Sequence, residues 1–89
     1  MYQIISETIA VAGVYKGGQF QPKKFQWRER SFFISQITSV HSWQDGTVPK
    51  RRFAVMAGGS LGKNLSQLYL LEFDRMREIW QLAQIWLDE

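Results

Sequence analysis

The sequence predicts a mainly β protein: a small, strongly curved antiparallel sheet or barrel of five to six strands, with a C-terminal helix as the alternative ending. Three observations carry that expectation. Several segments alternate apolar with polar residues and are rich in Val, Ile, Phe, Tyr and Trp. Glycine-bearing turn signals separate them, above all Lys16-Gly17-Gly18-Gln19 and Gln44-Asp45-Gly46-Thr47. The 89 residues make one domain with a modest core, which four Trp, six Phe and three Tyr enlarge. Each aromatic ring can bury ~150–250 Å².

Taken in order, Thr8-Ile9-Ala10-Val11-Ala12-Gly13-Val14-Tyr15 alternates large and small residues and is partly β-branched, which suits a strand. The Gly17-Gly18 pair supplies the positive φ of a tight hairpin. Pro22 lacks a ladder donor, so residues 20–24 form an edge strand or an irregular approach. Phe25-Gln26-Trp27-Arg28 is a half-buried strand, with Glu29-Arg30 at the tip of the next turn. Residues 31–43 form a long strand whose pattern breaks once. Phe32 and Ile34 share one parity, whereas Ile37 shares the other with Trp43. One extra residue near Ser35-Gln36 would keep all four on one face, so a β-bulge is expected there. Such bulges curl a sheet toward closure.

Residues 44–49 read as a loop and residues 51–57 as a strand, with Phe53 and Val55 inward and Arg52 outward. Residues 58–66 are a second loop, rich in Gly, Ser and Asn. Residues 67–74 form a strand with Tyr69, Leu71 and Phe73 on one face. The last segment has two readings. Met76, Ile79, Trp80, Ala83 and Trp86-Leu87 fall at helical spacing. The alternative is a strand over residues 79–87 with Trp80 and Leu82 inward.

Composition narrows the class. Apolar residues at 45% and charged residues at 21% belong to a globular chain. Without Cys there is neither a disulfide framework nor a thiolate metal site, and a reducing compartment, the cytoplasm, is the default. No apolar run approaches the ~20 residues that span a bilayer. Residues 1–7 lack the basic start and apolar stretch of a signal peptide, so no membrane partner is expected. Charge is uneven: residues 1–63 hold nine Lys/Arg against three Asp/Glu, residues 64–89 two against five. A chain so polarised can present a basic face to a polyanion.

The run Phe25-x-Trp27-Arg28-x-Arg30-x-Phe32-x-Ile34 and the ending Tyr69-x-Leu71-x-Phe73-Asp74-Arg75, followed by Trp80-x-Leu82, carry a resemblance. Together they resemble an uncharacterised bacterial family of short domains, with a W-R-x-R strand and a Y-E-L-x-x-D-R ending, over roughly residues 20–88. Its members are often encoded beside Y-family DNA polymerases. The resemblance implies an accessory role in DNA repair or replication and a β-hairpin at the C-terminal end. That hairpin's usual tip Gly is absent here; Met76-Arg77-Glu78-Ile79 stands in its place. The loop over residues 58–66 also looks longer than the family's.

Catalytic signatures do not assemble. Ala57-Gly58-Gly59-Ser60-Leu61-Gly62-Lys63-Asn64 nearly fits a phosphate-binding loop, but Asn64 replaces the Ser/Thr that ligates magnesium. The chain then heads into another strand, so no helix N-terminus receives the phosphate, and a hairpin loop is the better reading. His41 is the sole histidine and has neither Cys nor second His to work with. Glu72 and Asp74 share a strand face, as solvated carboxylates ordinarily do. The chain is therefore expected to be no enzyme and to need no cofactor or metal.

The leading expectation is a domain binding nucleic acid, single-stranded or damaged DNA, through a basic aromatic face of Lys23, Lys24, Arg28, Arg30, Lys50, Arg51 and Arg52, with Phe33 as an exposed ring. Cations track phosphates while exposed rings stack on bases. Trp27 and Phe53 are expected in the core; Phe20, Phe33 and Trp43 are the candidates for exposed rings. The alternative is a protein-interaction adaptor, docking on a DNA-polymerase-associated protein, or a homodimer formed through edge strands and surplus aromatics.

Overall fold

The structure is a computed structural model that describes residues 1–59 and 67–86. It is all β. Six antiparallel strands, β1 (Tyr2–Lys16), β2 (Gln19–Trp27), β3 (Arg30–Asp45), β4 (Val48–Gly59), β5 (Gln67–Asp74) and β6 (Ile79–Trp86), follow one another as a meander. β6 returns to pair with β1 and closes the ring. Closure removes most of the free edge that an open sheet would carry.

Inside the ring lie Ile9, Phe25, Phe53, Val55, Ala57, Tyr69, Leu71, Leu82 and Ile85. Val55, Ala57, Leu71 and Leu82 are completely buried. These positions follow the period-two pattern of β4 and β5 as the sequence predicts, with Arg52 outward. Phe25 stacks on Phe32 at 5.0 Å and meets Tyr69 edge-on at 5.2 Å. Trp27 packs on this cluster from the rim.

Three hairpin turns gather at one end. Gly17 and Gly18 (φ 62° and 78°) form the expected two-residue turn of β1–β2. Gly46 (φ 65°) opens the turn of β3–β4, which is far shorter than the loop expected over residues 44–49, because Asp45 already pairs with Val48. Residues 75–78 join β5 to β6. Asp74 Oδ1 accepts hydrogen bonds from the backbone N–H of Met76 and Arg77, and the Glu78 N–H donates to the Asp74 carbonyl. The opposite end carries the β2–β3 turn, which falls on Arg28-Glu29 (φ 51° and 63°), one residue earlier than the sequence pattern indicates.

Bulges bend the strands. The pairing of β3 with β4 shifts between Ile34 and Gln36, as expected, and again between Ile37 and Ser39. The Ser35 and Thr38 hydroxyls each donate to a β4 carbonyl, of Met56 at 3.2 Å and Ala54 at 2.9 Å. The second bulge corrects one expectation: Trp43 lies on the outer face, opposite Lys50, rather than with Ile37. On β6 the register shifts beside Ala83, so the inward set passes from Trp80 and Leu82 to Ile85. That parity switch explains the helical spacing of the C-terminal residues. Residues 79–86 nevertheless form a strand, hydrogen-bonded on both sides to β5 and β1, and the helical alternative does not occur there. On β1, residues 5–6 oppose Ala83 alone and Ser6 takes φ 55°. This irregularity lets the strand start at Tyr2, six residues before the alternating pattern begins.

β2 and β3 pair only over Lys24–Trp27 and Arg30–Phe33. Toward the three-turn end they separate, and Gln21, Pro22, Lys23, Ile34, Ser35, Gln36 and Ile37 line the gap. Pro22 thus sits where β2 has no β3 ladder to donate to, which fits its edge-strand reading. Among the described residues no helix is long and apolar enough to cross a membrane.

Candidate functional site

The predicted cations do not share one surface. Arg28 is held by Glu7: its Nη2 donates to Oε2 at 2.6 Å and its Nε to Oε1 at 3.2 Å. Trp27 Nε1 donates to the same Oε1 at 3.0 Å, and the Arg28 guanidinium lies 4.6 Å from the Trp27 ring. The hydrogen bonds from Arg28, then that from Trp27, hold the Glu7 carboxyl below the usual carboxylate range. Lys50 and Arg52 converge on Glu72 at 3.2 Å and 2.8 Å, with Asp45 3.4 Å from Lys50. Glu72 raises the Lys50 amine above its ordinary value. Arg52 also lies over Trp43, on which His41 stacks at 5.6 Å. Glu72 is therefore engaged by two cations, and Asp74 caps its turn; neither stands as a free carboxylate.

Lys23, Lys24, Arg30 and Phe33 remain exposed. Lys24 and Phe33 are direct partners across β2–β3, both turned outward, and the Phe33 ring is 51% exposed. Lys23 is the extra residue of a bulge in β2, opposite Ala12-Gly13. Arg30 stands at the far end, paired with Trp27. The phosphate-loop-like segment runs from Ala57 into residues 60–64, which lie outside the described residues.

Arg51 has a different setting. It shares the inward parity of Phe53, Val55 and Ala57 but stands above them, in the mouth at the three-turn end. This pocket, of about 260 Å³, is lined by Tyr15, Phe20, Phe53, Phe73 and Trp80, with Arg51 and Arg75 as its cations. Trp80 is the hub, 4.8 Å from Phe73, 5.4 Å from Phe53 and 5.8 Å from Phe20. Tyr15 meets Phe20 edge-on at 5.3 Å and is 79% exposed. The Arg51 guanidinium lies 5.5 Å from the Phe53 ring, and its Nε is buried with no hydrogen-bond partner among the described residues. Arg52 Nε, on the outer face, is in the same state, and a buried donor left unpaired costs about 1–3 kcal/mol.

Simple placement builds the mouth. Tyr15 pairs with Phe20 across the first hairpin, and Phe73 with Trp80 across the third. Each ring is two residues from its turn, and Phe20 meets Trp80 at 5.8 Å, so the two pairs join at one end of the barrel. Gly13 keeps the wall thin, since a Cβ there would collide with the Gln21 carbonyl oxygen and the Phe20 ring. Of the predicted site only Arg51 belongs here, and of the predicted exposed rings only Phe20. Tyr15, Phe73, Arg75 and Trp80 were not among the expected site residues. The legible signal for them was the symmetry of rings about the turns.

The arrangement can hold one flat, anionic or electron-rich group, with rings for its faces and guanidinium groups for its acceptors. Fold and site together define a six-stranded meander barrel with an aromatic, cationic mouth. No family model, no curated protein and no solved structure matches the chain.

Proposed function

We propose that this domain binds single-stranded or damaged DNA without catalysing a reaction on it, taking an unstacked base into the mouth of the barrel. The observation that carries the reading is the coincidence of the mouth's rings, Tyr15, Phe20, Phe73 and Trp80 above the buried Phe53, with an Arg51 Nε that has no hydrogen-bond partner among the described residues. Stacking of a base on an aromatic side chain contributes ~1–3 kcal/mol and tolerates any sequence. Lys23 and Lys24, exposed farther along β2, the strand that leaves the mouth hairpin, supply positive charge for the flanking phosphates. The mouth ends on the packed core, so the ring takes a terminal or splayed-out nucleotide rather than threading a strand. The likeness of the W-R-x-R and D-R motifs to domains encoded beside Y-family polymerases is in keeping with a role in repair or replication, in the cytoplasm.

Fluorescence anisotropy with labelled single- and double-stranded oligonucleotides at low salt tests this directly. Single strands should bind more tightly than duplex, with affinity falling linearly on a log–log plot against salt. Absence of binding to either form at the highest protein concentrations would refute it.

A further inference from the structure

The gap between β2 and β3 has two unlike lips. On the β2 side it carries Pro22, which has no N–H to offer, and Lys23, which is bulged and charged. Proline, lysine and bulges are the devices by which edge strands avoid pairing. On the β3 side those devices fade. From residue 31 to residue 44 the chain holds no Asp, Glu, Lys, Arg, Pro or Gly. Its two bulges lie near Ser35 and Thr38; from Ser39 to Gln44 the register with β4 runs without a break. Beyond the Lys24–Phe33 pair, β2 has five more residues while β3 has twelve, so β3 outruns its neighbour. Among the described residues, no strand pairs with residues 39–44 on the side away from β4. Val40 on this segment is 45% exposed.

We infer that β3 pairs antiparallel with β3 of a second copy through the segment 39–44, the two-fold axis passing at one residue of that segment, and so joins two barrels edge to edge. The occupant follows from charge. In a two-fold pairing the residue near the axis meets its own copy, so any formal charge there would meet a like charge. Ser39, Val40, His41, Ser42, Trp43 and Gln44 include no Asp, Glu, Lys or Arg, although 21% of the chain is charged. Perpendicular to the sheet, the axis keeps outward residues with outward ones, which brings the His41 and Trp43 rings of the two copies onto one face. This pairing rests on the free edge of β3 and not on what the mouth binds.

Sedimentation equilibrium and hydrogen exchange test it together. The wild-type chain should approach a dimer mass as concentration rises, with little dependence on salt, and the amides of residues 39–44 should gain protection in step. Ser39→Lys and Ser42→Lys, both at exposed positions, should each yield a monomer whose thermal melting still shows a folded domain. A wild-type chain that stays monomeric up to its solubility limit overturns the inference. So does a dimer that leaves these amides unprotected, or one that persists in both folded variants. Should either variant fail to fold, the wild-type amide protection decides alone.

Discussion

Arg28 grips Glu7 through two hydrogen bonds across the barrel wall, although Arg28 itself stands in a left-handed turn conformation, at φ 51°. A type I′ turn normally needs Asn and Gly; here Arg28-Glu29 fill it. The grip on Glu7 and the contact with the Trp27 ring offset the backbone cost at Arg28, and they tie the start of β1 to the end of β2.

Replacing Glu7 with Gln should therefore lower the melting temperature near neutrality and leave oligonucleotide binding unchanged. The effect has a pH signature. Because the Glu7 carboxyl is held below the usual range, its contribution is fully present above the unfolded carboxylate value and is lost as pH falls through the lowered folded value. Asp74, lowered first by the Arg77 N–H, acts in the same direction. Melting curves from neutral to acid pH should show a shallower decline for Glu7→Gln than for the wild type.

Glu29 (φ 63°) and Glu78 (φ 56°) occupy left-handed positions, both exposed. Glycine removes the steric cost of a Cβ there, ~1–2 kcal/mol, while losing some of the gain to unfolded-chain entropy. Glu29→Gly and Glu78→Gly should each raise stability by up to about 1 kcal/mol. Urea titration would check this, and a fall in stability at either site would count against the turn geometry.

In the mouth, Tyr15→Ala and Arg75→Ala alter exposed side chains and should leave the fold intact. Loss of the Tyr15 ring should weaken single-strand binding by ~1–3 kcal/mol if it stacks on a base. Arg75→Ala should also flatten the salt dependence, because one fewer phosphate is neutralised. Arg51→Met keeps the bulk and removes the buried donor; it should abolish most of the binding while stability holds or rises. Anisotropy titrations at two salt concentrations separate these outcomes.

The core responds on a different scale. Leu71→Ala and Leu82→Ala, both at completely buried positions, should each cost ~2–5 kcal/mol. Thr38→Val removes a bulge hydrogen bond to the Ala54 carbonyl and should cost about 0.5–1.5 kcal/mol. Denaturant unfolding resolves both magnitudes.

Much of the wall was legible in the chain. Alternation in residues 51–57 and 67–74 identified the inward residues Phe53, Val55, Tyr69 and Leu71, because a strand's side chains alternate faces and only one face is dry. Gly17-Gly18 marked its turn for the same kind of local reason. The break between Ile34 and Ile37 disclosed one bulge. The second, at Thr38, was hidden because Trp43 keeps the parity of Ile37, while Val40, which holds the inward parity opposite Phe53, is the sole apolar residue between them.

The site was less legible than the wall. Seven cations within a basic stretch of sequence look like one surface, yet Glu7 and Glu72 claim three of them, and both acids lie on strands remote in sequence. Strand alternation then sends Arg51 inward between outward Lys50 and Arg52, so three adjacent residues serve two different surfaces.

By itself, then, the sequence determined the β class, the principal inward residues and the Gly17-Gly18 turn, all consequences of local backbone preference and of burying one strand face. Tertiary structure decided the rest: that residues 79–86 are a strand, that Arg28 holds Glu7, and that Tyr15, Phe20, Phe73 and Trp80 meet around Arg51. Those outcomes depend on ring closure. Only when β6 finds β1 do two hairpin tips with their ring pairs come to one end, and no local pattern carries the register that puts them there.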